Sequence, residues 1–418
     1  MTLLRTAWAW AVRLRFVILL LWAAPWAFRL FPRDPLGSDW WWFEYGARQL
    51  SGHADGITPI EGGPLHIYTW IPRLQIGPPA LLAAIPTQLG NTYAGRVAAA
   101  VVMVLAVIGL LVLLERIARM CGLAQERTRT MTLVGGAFLV PAWCTLAAFT
   151  MHLDDVIVLC LTVVAIHQLL RRCWWAAALA LGVAVATKPW AVAFVPLLLL
   201  VPRVRRSHAI LLTLASAAVW WLPFVVADPQ TVQASGSVKL DTSPDSTLHL
   251  LGMQSSAGDA RLLQLALMVL VGWWAVRSGR WPAILVAPIA VRMLTDPQTW
   301  IYYTSGLVLG AFLWDLVGSR ARWPRLTVLS AALLLLESRI HIEVGGPQHG
   351  GQTFLAVVRI VVLLGILAVV LWLDRQTAPA LWPADGGGAA GDETAGAPEP
   401  LGEVASAQAL TGSTTDER

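Results

Sequence analysis

Lysine is nearly missing from this chain of 418 residues. Of its 30 Lys and Arg residues, only Lys188 and Lys239 are lysine, a bias that fits a GC-rich genome. Charge of either sign is scarce as well, at 13% of residues, where an ordinary soluble domain carries about 25%. Set beside 57% hydrophobic residues, that shortage excludes a chain built of soluble domains, so its length is counted in membrane spans. There are four cysteines and no C-x-x-C pair. Cys144 and Cys160 fall in apolar runs and Cys121 and Cys173 in basic loops, so neither a disulfide framework nor a zinc site is expected. No P-loop, H-E-x-x-H or G-x-S-x-G motif occurs, and the glycine-rich stretches lie in a span or in the tail. Nucleotide binding is therefore not expected, and no metal or cofactor site is assigned, although a divalent ion stays compatible with the acidic residues.

What the chain has in abundance is tryptophan, 22 against five tyrosines, as in proteins with long perimeters at the membrane–water boundary. Apolar runs occur at about 16–31, 96–114, 131–150, 155–170, 173–187, 189–201, 209–226, 261–276, 281–295, 300–317, 326–341 and 353–373. Several are shorter than the roughly 20 residues a span prefers, and the pair around Lys188-Pro189 reads as tilted, broken or re-entrant. The reading is an all-α polytopic bundle of about twelve spans. The start resembles a signal peptide but lacks a clear A-x-A cleavage site and is followed by many more spans, so it reads as an uncleaved first helix. Residues 1–375 form the membrane domain; 376–418, rich in Ala, Gly, Pro, Glu and Thr, read as a disordered cytoplasmic tail.

Arginine sets the expected orientation. Arg5, Arg13 and Arg15, Arg116 to Arg129, Arg171 and Arg172, Arg203 to Arg206, Arg277 and Arg280, Arg320 to Arg325, and Arg375 fall in alternate loops, which places both termini inside. The pattern is that of membrane topology and not of nucleic-acid binding. Acids collect on the other side, among them Asp34, Asp39, Glu44, Asp154, Asp155, Asp228, Asp245 and Asp296. Two long loops, about 32–95 and 227–260, lie there too. Within the first, "SDWWWFEYGARQL" and "PPALLAAIPTQL" read as short helices lying in the interface, the first with Ser38 or Asp39 as its N-cap.

Candidate chemistry concentrates on that outer side. Asp39 beside Trp40, Trp41 and Trp42 suits a general base that takes a proton from a sugar hydroxyl, or it simply caps a helix that tryptophans anchor. In "MHLDD", His152, Asp154 and Asp155 open a span; His152 and Asp155, three apart, share a face. Ionisable groups entering a membrane tend to be functional, while two acids at a helix start also complement its dipole. Lys188, before Pro189, either binds a lipid phosphate or snorkels to the interface. Arg292 either grips phosphate or pairs with Asp296, four residues on; Gln298 and Tyr302, also four apart, face one side. Arg339, His341, Glu343, Gln348 and His349 read as a flexible outer loop, and Arg359 sits inside the last span without an evident partner.

This arrangement resembles the C-type (GT-C) integral-membrane glycosyltransferases, most closely the actinobacterial polyprenyl-phosphate-mannose-dependent mannosyltransferases. The resemblance rests on "GSDWWWFEYGARQL", on two short helices after the first span, on "MHLDD" and on "ATKPWAVAFVPLLL", and covers roughly residues 10–375. It implies an inverting transfer of a sugar, mannose above all, from a polyprenyl-phosphate donor to a lipid or glycan acceptor at the outer face of the cell membrane. Asp39 then maps onto the general base, His152 with Asp155 or Asp154 onto the histidine–acid pair, and Lys188 and Arg292 onto the donor-phosphate ligands. Glu44, Gln298 and Tyr302 are placed at the substrate, with membrane lipids and no nucleic acid as further partners. Two rivals stand beside this reading: a transporter or flippase for a lipid-linked sugar, which Arg359 fits better, and a non-catalytic membrane subunit.

Overall fold

Helices account for about 81% of the computed structural model, which describes residues 2–32, 38–52, 58–89, 92–236, 239–256, 258–333 and 349–373. All of these belong to one compact unit, Met1–Trp382; the predicted tail at 376–418 and the whole loop from Arg339 to Gln348 lie outside the described residues. In chain order the helices are α1 (Thr2–Arg13), α2 (Arg15–Leu30), α3 (Trp40–Ser51), α4 (Ile67–Trp70), α5 (Pro78–Ala84), α6 (Thr92–Met120), α7 (Gln125–Cys144) and α8 (Leu153–Leu170). They continue with α9 (Trp174–Thr187), a 3-10 helix at Pro189–Leu200, α10 (Arg203–Ala227), α11 (Thr231–Gly236), α12 (Thr247–Leu250) and α13 (Gly258–Arg277). A 3-10 turn at Trp281–Ile284 leads into α14 (Val286–Thr295), followed by α15 (Tyr303–Leu313) and α16 (His349–Ala368).

The chain is a helical membrane protein. Among the described residues, six helices are long and apolar enough to cross a bilayer, seven if α1 and α2, bent by 78° against each other, make one span. Four further apolar helices are shorter: Trp174–Thr187, Pro189–Leu200, Trp281–Thr295 and Tyr303–Gly318. The expectation of about twelve full spans therefore reduces to this coarser count. Its reason is geometric, since α9 with 14 residues rises only about 21 Å at 1.5 Å per residue, short of a hydrocarbon core of about 30 Å.

Long helices here are apolar all round, as a membrane helix must be. On α6 the stripe Ala99, Met103, Val107, Leu110, Leu114 and Ile117 is buried, while Val101, Val102 and Leu105 stay exposed on the other side. Without water to drive association, helices meet through small residues and interhelical hydrogen bonds. The α9–α10 contact shows both. A Cβ on Gly182 would lie 2.6 Å from the Thr213 carbonyl oxygen, Thr213 Oγ1 donates to the Ala178 carbonyl at 3.1 Å, and the Trp221 indole donates to the Ala186 carbonyl at 3.1 Å.

The two short helices predicted in the first outer loop are present as α3 and α5, but the expected tryptophan anchor holds only in part. Trp40 is fully buried and stacked on Phe43 at 5.5 Å, and only Trp41 of the three is exposed. The chain then breaks at Lys188, whose backbone is extended (φ −146°, ψ 123°) because Pro189 follows. Gly77 seats α5 on that break: its amide donates to the Thr187 carbonyl at 3.0 Å. A Cβ there would come within 1.9 Å of the Ala186 carbonyl oxygen and 2.6 Å of that of Thr187. Gly77→Ala is expected to cost about 1–3 kcal/mol or more, because a rigid carbonyl must move; a thermal melt equal to wild type would refute this seat.

The second long loop is zipped to the segment after α14. Strands β1 (Leu240–Asp241) and β2 (Ser255–Ser256) pair antiparallel, the Ser243 amide donates to the Pro297 carbonyl at 2.8 Å, and the Gln298 amide side chain donates to the Asp241 carbonyl at 3.3 Å. Asp245 completes the seam by taking a hydrogen bond from Thr299 Oγ1 and an ion pair from Arg359 at 3.1 Å. Arg359 thus has its partner in this loop, not in a path through the bundle.

Candidate functional site

The polypeptide after α7 does not run smoothly into α8. A π-helical turn at Thr145–Thr150 ends in Met151, which adopts a left-handed conformation (φ 56°, ψ 44°), unusual for a residue with a side chain. Such irregularities gather at functional sites. Here the kink delivers His152 just before α8, with Asp154 and Asp155 in that helix's first turn. The Asp39 amide donates to the Thr150 carbonyl at 3.1 Å, so the start of α3 is fastened to the same kink.

These contacts bring together side chains that are far apart in sequence. Asp39 Oδ2 lies 2.6 Å from His152 Nε2. His152 Nδ1 lies 3.6 Å from Asp154 Oδ1 and 3.8 Å from Asp155 Oδ2, and no carboxylate is aligned with a ring N–H as a hydrogen bond. Lys188 Nζ stands 2.6 Å from Asp155 Oδ2 and 3.0 Å from Asp154 Oδ2. Arg292 is 3.6 Å from Asp155 and 3.7 Å from Asp296, and its guanidinium lies over the rings of Tyr303 at 4.0 Å and Trp190 at 4.5 Å. The Tyr302 ring stacks on His152 at 3.8 Å.

A cavity of about 400 Å³ opens over this cluster. Asp39, His152, Asp154, Lys188, Arg292, Gln298 and Tyr302 all line it, so seven of the residues singled out from the sequence face one space. Asp155 sits directly behind Lys188, buried, with its Oδ1 making no hydrogen bond. The recess exists because short elements stop there: α9 ends at Thr187, α14 at Thr295, and α15 starts only at Tyr303.

Three expectations need correction. Glu44 does not line the cavity; it pairs with Arg48 along α3 at 3.1 Å. Asp39 occupies the N-cap position of α3, yet its side chain caps nothing; the carboxylate turns to His152 instead and keeps 40% side-chain exposure. Lys188 does not snorkel, being 8% exposed and held between two buried acids. The cavity also contains residues to which no role was assigned: Trp190, Tyr303, Arg73 and Arg261. The sequence signal for the last two was their placement, since both arginines interrupt the acidic side of the alternation.

His152, Asp154 and Asp155 offer ligand atoms within 4.8 Å of one another, a spacing open to a metal ion. Both carboxylates already hold the Lys188 ammonium, so a divalent ion there has to displace it. Burial disfavours a charge on His152, but the Asp154 and Asp39 carboxylates outweigh burial and the nearby Lys188, holding its pKa above the ordinary 6.5. A raised folded-state pKa means that the stabilisation is fully present below about 6.5 and is lost as pH rises through the folded value. The melting temperature of wild type should therefore exceed that of His152→Gln most at about pH 5.5, with the gap closing toward pH 9. A gap that does not change with pH would show that His152 is neutral throughout. Compared with known proteins, the chain matches no family model and no curated protein, so the site is interpreted from its own geometry.

Proposed function

We propose that the chain is a GT-C-type membrane glycosyltransferase of the outer face of the cell membrane, with both termini inside. It moves a sugar, mannose by resemblance, from a polyprenyl-phosphate donor to a lipid or glycan acceptor. The observation that carries this reading is Asp39: a half-exposed carboxylate on a cavity wall, 2.6 Å from His152. In the reaction the acceptor hydroxyl oxygen attacks the anomeric carbon and passes its proton to Asp39. The bond from that carbon to the phosphate oxygen breaks, the lipid phosphate leaves with the electron pair, and the configuration inverts. His152 orients Asp39 and shares its charge; Gln298 and Tyr302 contact the sugar. The arginine-rich turns Arg171-Arg172 and Arg277 to Arg280 lie at the ends of α8 and α13 remote from the cavity, which supports the outer placement of the site.

The transporter alternative loses its main support, because Arg359 is engaged by Asp245 at 3.1 Å and the ionisable residues gather at one end of the helices, not at a midplane between repeats. The experiment that tests the function is incubation of the purified protein with polyprenyl-phosphate mannose, or the arabinose donor, and extracted membrane lipids. Mass spectrometry should find an acceptor lipid heavier by one sugar. Donor consumed by no acceptor, and moved intact across a vesicle membrane, would overturn the transferase reading.

A further inference from the structure

The deep end of the cavity is a poor place for a phosphate. Four carboxylates, Asp39, Asp154, Asp155 and Asp296, crowd there around two fixed cations, Lys188 and Arg292. Lys188 is shared by two acids and Arg292 by two, so neither has net positive charge to spare. Even a protonated His152 leaves the group negative, and a lipid phosphate brought among these residues would be repelled. The expectation that Lys188 and Arg292 bind the donor phosphate therefore fails on charge.

The same cavity holds two further arginines that make no ion pair among the described residues, although Asp296 lies within electrostatic reach of Arg261. Arg261, on the first turn of α13, lines it with one guanidinium nitrogen, Nη2, buried and making no hydrogen bond. Arg73, in the turn after α4, lines it from an exposed position and has neither ion pair nor hydrogen bond among the described residues. Gln75, Gln264 and Ser235 stand along the same wall. A buried guanidinium N–H without an acceptor is costly, and a phosphate oxygen satisfies it with the planar fork that arginine presents. Both arginines also lie on the acidic side of the arginine alternation, where topology gives no reason for them.

We propose that Arg261 and Arg73, which line the same cavity as Lys188 and Arg292, form its anion-binding subsite for a phosphate ester. The subsite rests on the transferase reading only for naming the ester, which comes either from the donor, as the leaving lipid phosphate, or from a phospholipid acceptor. Arg261 supplies the desolvated contact and Arg73 the solvent-facing one, so Arg261 carries most of the affinity.

The test is calorimetric titration of the detergent-solubilised full chain with farnesyl phosphate and with dihexanoyl phosphatidic acid. Farnesol and dihexanoylglycerol are the phosphate-free controls. Arg261→Gln should weaken a phosphate ligand on the order of 10- to 100-fold, as for loss of a charge-assisted bond, without moving the controls. Arg73→Gln should weaken it by about two- to fivefold, as for an exposed pair. Loss confined to farnesyl phosphate assigns the subsite to the donor, and loss confined to the diacyl phosphate assigns it to the acceptor. Arg261→Lys should recover part of the affinity, which a folding defect would not. Wild-type binding of both phosphates by the Arg73→Gln, Arg261→Gln double variant overturns the proposal. Binding that depends on Arg261 in a protein that transfers no sugar retires the transferase reading and leaves the subsite standing.

Discussion

Asp39→Asn is expected to lower sugar transfer by about 100- to 10,000-fold, the usual contribution of a general base, while the protein still inserts, folds and binds lipid phosphate. Asparagine keeps the size of the side chain and can still meet His152, but it cannot take the proton of an acceptor hydroxyl. The alternative, that Asp39 serves α3 as a cap, makes a different forecast, because asparagine caps helices about as well as aspartate. The geometry separates the two in advance: the Asp39 side chain accepts no hydrogen bond from α3 and lies 2.6 Å from the His152 ring. Glu44 is the internal control. It pairs with Arg48 on the helix surface, where such a bond contributes about 0.3–0.5 kcal/mol, so Glu44→Gln should leave transfer within about twofold. Transfer assays on both variants decide the matter, and an active Asp39→Asn enzyme would remove Asp39 from the chemistry.

How far the fold was legible depends on what each feature rests on. Apolar runs read directly as helices because hydropathy and backbone satisfaction in a membrane are local requirements. The run at 326–341 is described only to residue 333, where it is helical, and the others are helical. Span count was less legible, since run length cannot say whether a 14-residue helix such as α9 crosses or stops beneath a cavity. Individual site residues were legible as ionisable groups out of place in oily sequence: Asp39, His152, Asp154, Asp155, Lys188 and Arg292 all converge. Their pairing was not, because it depends on the left-handed Met151, which no local residue pattern announces, and on where the break that Pro189 imposes at Lys188 carries the side chain. For the same reason Lys188 read as a free phosphate ligand and Arg359 as an orphan, whereas each has an acid supplied from a distant segment.

The second large effect is expected at Lys188. Its ammonium lies 2.6 Å from Asp155 and 3.0 Å from Asp154, with all three residues under 9% exposed. Lys188→Met keeps the length and apolar volume of the stem but leaves two adjacent buried carboxylates with Arg292, 3.6 Å from Asp155, and the His152 ring, 3.6 Å from Asp154, to balance them. Removing one partner of a buried ion pair costs about 3–5 kcal/mol, and a denaturation midpoint should report a loss of that size. If the lysine merely snorkelled, the change would stay within about 0.5 kcal/mol, as at ordinary surface positions. The variant by itself does not separate a lost charge from a lost fit, so the partner acid supplies the second measurement. Asp155→Asn in the Lys188→Met background removes one of the stranded charges, and the double variant should be more stable than Lys188→Met alone by about 0.5–3 kcal/mol, the usual coupling of contacting residues. Additive losses would show that Lys188 and Asp155 do not hold each other, and the floor of the cavity would then need another explanation.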